Sequence, residues 1–202
     1  PNTRGYVRNC LFRDNSISVG SIGAVAMKGC GSAIAVGPAS VTVDNCTFVG
    51  NYADAALSSQ KATTGAFHVT GTNAVVRNCV FYGNKDLTKK GDVYSAVADR
   101  INAFSNCFET TGGKLTDGVN GCIVRDDNPF RADDHCDLAV RGGCGQGAGL
   151  VLDWMTADAT DLGGKPRVVT NGKTLAEDPN ALPDIGCYEN QAPNPGLLLL
   201  LR

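Results

Sequence analysis

The chain has 202 residues, 18 Lys or Arg against 20 Asp or Glu, and a formal net charge of −2, without the basic excess that a nucleic-acid surface needs. Hydrophobic residues make up 43% and charged residues 19%, enough apolar mass for a core, which excludes a wholly disordered chain. No stretch reaches the roughly 20 apolar residues that carry a helix across a bilayer, so no membrane span is expected.

The opening residues carry no charged-then-apolar leader, and the expectation is a fragment or a processed product. A repeat begins almost at once. Val7-Arg8-Asn9-Cys10-Leu11-Phe12-Arg13-Asp14-Asn15 returns as Val43-Asp44-Asn45-Cys46-Thr47-Phe48-Val49-Gly50-Asn51 and as Val76-Arg77-Asn78-Cys79-Val80-Phe81-Tyr82-Gly83-Asn84. A shorter fourth copy reads Phe104-Ser105-Asn106-Cys107-Phe108, and the cysteines step by 36, 33 and 28 residues. Uneven steps around fixed segments fit strands joined by loops of varying length.

Within a copy the apolar residues alternate, slip by one, and alternate again, as at Val41, Val43, Cys46 and Phe48. Alternation marks a strand with one buried face, and the slip marks a bend between two short strands. Asn9, Asn45, Asn78 and Asn106 stand at the slip. After glycine, asparagine most readily adopts the left-handed backbone such a bend requires. A further strand is expected at Gly23-Ala24-Val25-Ala26-Met27 and again at Gly65-Ala66-Phe67-His68-Val69. No capped helical period separates the copies.

These features predict an all-β chain: a right-handed parallel β-helix over 1–125 with a less regular C-terminal cap over 126–202. Stacked coils would align equivalent residues in columns. Cys10, Cys46, Cys79 and Cys107 form one inward column and Val7, Val43, Val76 and Phe104 another. Phe12, Phe48 and Phe81 form an aromatic stack broken at Glu109, and Asn15, Asn51 and Asn84 bond from rung to rung. Outside, Arg8, Asp44, Arg77 and Ser105 alternate in sign, an exposed pairing that aids register more than stability. The cap is expected to cover the open edge of the last coil.

Farther along, Asp126, Asp127, Asp133, Asp134 and Asp137 surround His135-Cys136, a solvated loop in which calcium is possible but matches no EF-hand spacing. With His68 and His135 the only histidines, no zinc spacing exists. Gly142 to Gly147 lacks the Lys-Ser/Thr of a phosphate loop. Five leucines at 197–201 suit a closing strand packed on the last coil, with the start of a truncated membrane or sorting anchor as the alternative.

The unit resembles the repeat of polymorphic outer-membrane proteins, through Phe12 to Asn15, Phe48 to Asn51 and Phe81 to Asn84, with a degenerate second mark at Ile22-Gly23-Ala24-Val25 and Thr64-Gly65-Ala66-Phe67. The C-terminal part is similar to the choice-of-anchor Q domain of bacterial surface proteins. Asp161-Leu162-Gly163-Gly164-Lys165-Pro166-Arg167 and Asp184-Ile185-Gly186-Cys187-Tyr188-Glu189 carry that similarity. The resemblance implies a pectate-lyase-like β-helix, export, and an extracellular or cell-surface location that permits disulfides. The ladder cysteines are expected as buried thiols. Cys136–Cys144 is a plausible local bridge, and Cys122, Cys30 or Cys187 could supply another. Asp161, Arg167, Asp184 and Glu189 are expected to pair within the cap.

Two functions remain open on these readings, beside a third in which the chain is a calcium-stabilised passenger region with no ligand of its own. One is a surface stalk, adhesin or glycan-binding scaffold whose partner is a polysaccharide or a host or cell-surface glycan, with no cofactor. The other is a polysaccharide lyase or glycoside hydrolase acting on an acidic polysaccharide. It would draw on Asp44, Asp92 and Asp99 with Arg77 and Arg100, provided that the carboxyls converge.

Overall fold

A computed structural model of the chain describes residues 4–18, 30–37, 39–54, 63–64, 66–69, 74–86, 93–95, 101–109, 116–132, 138–141, 145–167, 169–170, 173–174 and 176–191. The expectations for Gly23 to Met27, Asp92, Asp99, Arg100, Asp133 to Asp137, Cys144 and the five leucines lie outside these residues. Among them the fold is all-β, its one helical turn being a single 3-10 turn at Val119–Gly121.

The first repeat contributes β1 (Arg4–Arg8), β2 (Leu11–Arg13), β3 (Ser16–Ser18), β4 (Cys30–Gly31) and β5 (Ile34–Val36). The second contributes β6 (Ser40–Asp44), β7 (Thr47–Val49), β8 (Tyr52–Asp54), β9 (Thr63–Thr64) and β10 (Phe67–Val69). Then follow β11 (Ala74–Arg77), β12 (Val80–Tyr82), β13 (Lys85–Asp86) and β14 (Val93–Ser95), and after them β15 (Ile101–Phe104), β16 (Cys107–Phe108) and β17 (Ile123–Val124). Strands holding the same place in successive repeats pair in parallel. The sheet orders are β1-β6-β11-β15, β2-β7-β12-β16-β17, β3-β8-β13, β5-β10-β14 and β4-β9. Each repeat therefore visits the sheets in one order. The partner of Phe67–Val69 in the first repeat is Ile34–Val36.

Two bends per repeat open on a residue with positive φ. The first is at Asn9 (48°), Asn45 (48°) and Asn78 (54°), the second at Asp14 (53°), Gly50 (66°) and Gly83 (67°). In the fourth repeat the first bend is Ser105 (48°), not Asn106. The register agrees: Arg77 lies opposite Phe104 and Val80 opposite Cys107. Cys107 thus leaves the cysteine column, where Asn106 takes the place opposite Cys79, and the valine column ends in Ala103 rather than Phe104.

Asn106 fits there because it repeats what the thiols do. The Cys79 sulfur accepts the Cys46 N–H at 3.4 Å and lies 3.6 Å from the Val43 carbonyl. One rung on, Asn106 Oδ1 accepts the Cys79 N–H and Nδ2 donates to the Val76 carbonyl, both at 2.8 Å. The side chain bridges rungs in both cases.

The same register extends the aromatic stack beyond expectation, because Phe108, not Glu109, lies opposite Phe81. Phe12, Phe48, Phe81 and Phe108 stack with centroids 4.8, 4.5 and 4.9 Å apart, the strand spacing of a sheet. Val43, Val76, Cys46, Cys79, Phe67 and Val69 complete this core.

The asparagine column bonds from rung to rung as expected. Asn15 Nδ2 donates to Asn51 Oδ1 at 2.9 Å, and Asn51 Nδ2 donates to Asn84 Oδ1 at 2.7 Å and to the Phe12 carbonyl at 3.0 Å. Asn51 is fully buried, and truncation would strand several of these groups. Asn51→Ala is expected to lower stability by about 2–4 kcal/mol in urea denaturation, and a loss under about 0.5 kcal/mol would show the ladder to be incidental.

The described part of residues 126–191 lies against the second sheet. The second sheet is apolar on both faces, and its outer face carries Leu11, Val49, Val80, Cys107 and Ile123. Phe130, Leu138, Val140 and Ile185 pack on that face, so the C-terminal segment is a flank laid across the repeats.

Candidate functional site

The flank is held by the bend asparagines, one repeat at a time. Asn9 Nδ2 donates to the Thr160 carbonyl at 2.8 Å, and Asn45 Nδ2 reaches the Asp184 carbonyl at 3.3 Å. Asn78 exchanges two 2.8 Å bonds with the Leu150 backbone. Reading these residues only as bend formers missed this role. The signal was available, since glycine would serve the bend as well and only the amide can hold a neighbour.

Arg167 is the centre of the flank, its side chain 0% exposed. Nη1 meets Glu189 Oε2 at 3.2 Å and the Gly186 carbonyl at 3.1 Å, while Nη2 donates to the Cys187 carbonyl at 3.0 Å and to Asn9 Oδ1 at 2.5 Å. Glu189 Oε1 accepts the Asp184 N–H at 3.0 Å. Asp161 accepts the Lys165 and Glu189 N–H groups, and Asp184 those of Gly147 and Asn190. Of the four expected partners, Arg167 and Glu189 form the ion pair, whereas Asp161 and Asp184 brace backbone. Gly145 has φ 118°, and a Cβ there would lie 2.7 Å from Ile185 Cδ1.

Burial pushes the Asp184 carboxyl up to about 6, against the lowering pull of the Asn190 and Gly147 N–H groups and of Arg167. The folded chain holds this proton more tightly than an unfolded chain, whose Asp titrates near 4. The stabilisation is full below about pH 4 and is lost as pH rises through 6. Wild type should therefore gain on the order of 2–3 kcal/mol over Asp184→Asn between pH 7 and pH 4. Urea midpoints of both proteins across that range check this, and parallel curves would refute it.

Where the flank meets β2 it leaves a cleft of about 480 Å³. β2 supplies Leu11 and Arg13. The loop closed by the Phe130–Val140 bridge supplies Arg131, Leu138 and Ala139. Lys165 comes from the turn in which the Asp161 N–H donates to the Lys165 carbonyl at 2.8 Å, and Tyr188, Glu189 and Gln191 come from the end of the flank. Arg13, Arg131 and Lys165 are exposed, whereas Asp161 and Glu189 are buried. The carboxylates are engaged by the fold, and the accessible charge of the cleft is cationic. None of these cations was singled out from the sequence, because residues 13, 131 and 165 share no local pattern.

The alternating column is present, but its acidic member is buried while Arg8 stays exposed. Asp44 is 0% exposed and sits between Arg77, at 2.7 and 2.9 Å, and Arg8, at 3.4 Å; Phe104, not Ser105, is the fourth member. Arg8 lies over the Tyr6 and Trp154 rings at 5.2 and 5.6 Å, contacts that reinforce a cation's place. Cys122 and Cys187 are buried thiols rather than disulfide partners, as are Cys46, Cys79 and Cys107, and Cys10 is a half-buried one. Burial pushes the Cys187 thiol up to about 11, which keeps it protonated. Asp127 pairs with Arg125 and, at 3.3 Å, with Arg141. Among the described residues no three His, Cys, Asp or Glu gather as metal ligands, and no helix is long and apolar enough to cross a membrane.

Comparison with protein-family models, curated proteins and solved structures found no match. The residues themselves carry the functional reading.

Proposed function

We propose that the chain is a stretch of right-handed parallel β-helix in an exported bacterial cell-surface protein, and that it serves as a glycan-binding scaffold. The carrying observation is the constant order in which each repeat visits the sheets, with parallel registers between equivalent strands. A chain that returns to the same sheets in one order advances by one strand per turn, and parallel crossovers are overwhelmingly right-handed. The resemblance to surface-protein repeats supports the location. The cleft supports a binding role, since it combines the Tyr188 ring and apolar side chains with polar groups at its rim. Among the described carboxylates, Asp161 and Glu189 already bond within the fold and Asp44 lies buried between two arginines, which favours binding over hydrolysis or elimination.

Two measurements test this. A glycan array should return carbohydrate ligands, and protease shaving of intact producing cells should release fragments of the chain. Incubation with pectin and alginate, with and without calcium, should leave absorbance from unsaturated uronates flat. A rise in that absorbance would replace the scaffold reading with that of a lyase.

A further inference from the structure

We infer that the cleft between β2 and the flank binds an anionic oligosaccharide, its acid groups meeting Arg131, Lys165 and Arg13 while a sugar face lies on Tyr188. The inference rests on the glycan-binding reading and narrows it to a site and a ligand class.

Three cations from separate segments converge on one cavity of about 480 Å³, within the size range of small-ligand sites. Each is fixed differently. Arg13 is at the end of β2, with Asp14 at 3.1 Å. Arg131 is oriented by Asn190 Oδ1 at 3.1 Å and by the bond from its own N–H to the Ala139 carbonyl at 3.0 Å. Lys165 is carried by a turn braced through Asp161, whose Oδ1 takes the Lys165 N–H at 2.9 Å. The acidic groups beneath them are committed: Glu189 to Arg167 and the Asp184 N–H, Asp161 to two backbone N–H groups. An entering carboxylate or sulfate therefore meets Arg131 and Lys165 at the rim, with Arg13 shared with Asp14, and no open carboxylate on the floor. Planar guanidinium groups suit such oxyanions. Leu11, Leu138, Ala139 and Tyr188 give the apolar surface that a sugar ring needs and that an inorganic anion does not use.

The test is titration of the isotope-labelled full chain with trigalacturonate, a sulfated trisaccharide and neutral maltotriose, followed by amide shifts and calorimetry. One or both acidic probes should bind about tenfold or more tightly than maltotriose, and should weaken as salt rises from about 50 to about 500 mM. Whichever acidic probe binds identifies the acid group. Shifts should centre on Lys165, Tyr188 and Gln191. Arg131→Ala with Lys165→Ala should weaken binding by about tenfold or more, and Lys165→Ala alone, at an exposed position, should weaken it by about threefold or more with urea stability unchanged. Arg4→Ala, in the smaller groove beside Tyr6 and Thr42, should not change it. Equal binding of maltotriose, or shifts centred on Tyr6 and Thr42, would overturn the inference and leave the glycan-binding reading in place. No binding of any oligosaccharide would overturn both.

Discussion

Phe81→Ala should lower stability by about 3–5 kcal/mol in urea denaturation, the loss expected when a buried aromatic ring leaves a cavity. Phe81 is fully buried, with Phe48 stacked at 4.5 Å on one side and Phe108 at 4.9 Å on the other. Neither neighbour can close the gap, because each strand is held in register by its own parallel bonds. Phe12, half-buried at the end of the stack with one ring neighbour at 4.8 Å, should cost less than half as much when truncated. Phe81→Leu, which keeps most of the volume, should fall between the two. Equal losses at Phe12 and Phe81 would mean that the stack does not organise the core.

The second large effect is expected at Arg167. Arg167→Met removes four hydrogen bonds and leaves Glu189 buried without its countercharge, alongside two carbonyls that lose a donor. Breaking one side of a buried pair costs about 3–5 kcal/mol, mostly through the charge left behind. Removing that charge as well should recover part of the loss, so Arg167→Met with Glu189→Gln should be more stable than Arg167→Met alone. Glutamine retains an oxygen for the Asp184 N–H. A double-mutant cycle from chemical denaturation measures the coupling. Additive losses would show that the two residues act independently.

The strand periodicity and the bend positions of the first three repeats were legible because both depend on local sequence. Alternation sets the faces, and a left-handed residue must sit where the alternation slips. The fourth repeat was misaligned by one residue because cysteine identity guided the match. The backbone register follows the bend at Ser105, and Asn106 makes the bonds of a thiol with a different side chain. Asp44 looked like a surface charge because Trp154, whose ring lies against its partner Arg8, arrives more than a hundred residues later. The cleft was illegible for the same reason: its cations lie on three segments joined only by folding. Pairing of Arg167 with Glu189 was anticipated from two short motifs, but the reach of Arg167 to Asn9, across 158 positions, has no local signature.

Stacked repeats that touch only their neighbours behave as a one-dimensional array, in which end units can fray independently. The flank changes this behaviour, because Asn9, Asn45 and Asn78 from three successive repeats each hold a different part of the same segment. No one of these repeats can open without loosening a strap shared with the other two. Unfolding should then be a single cooperative event across the three, with uniform hydrogen-exchange protection in β6, β7, β11 and β12 instead of a gradient from one end.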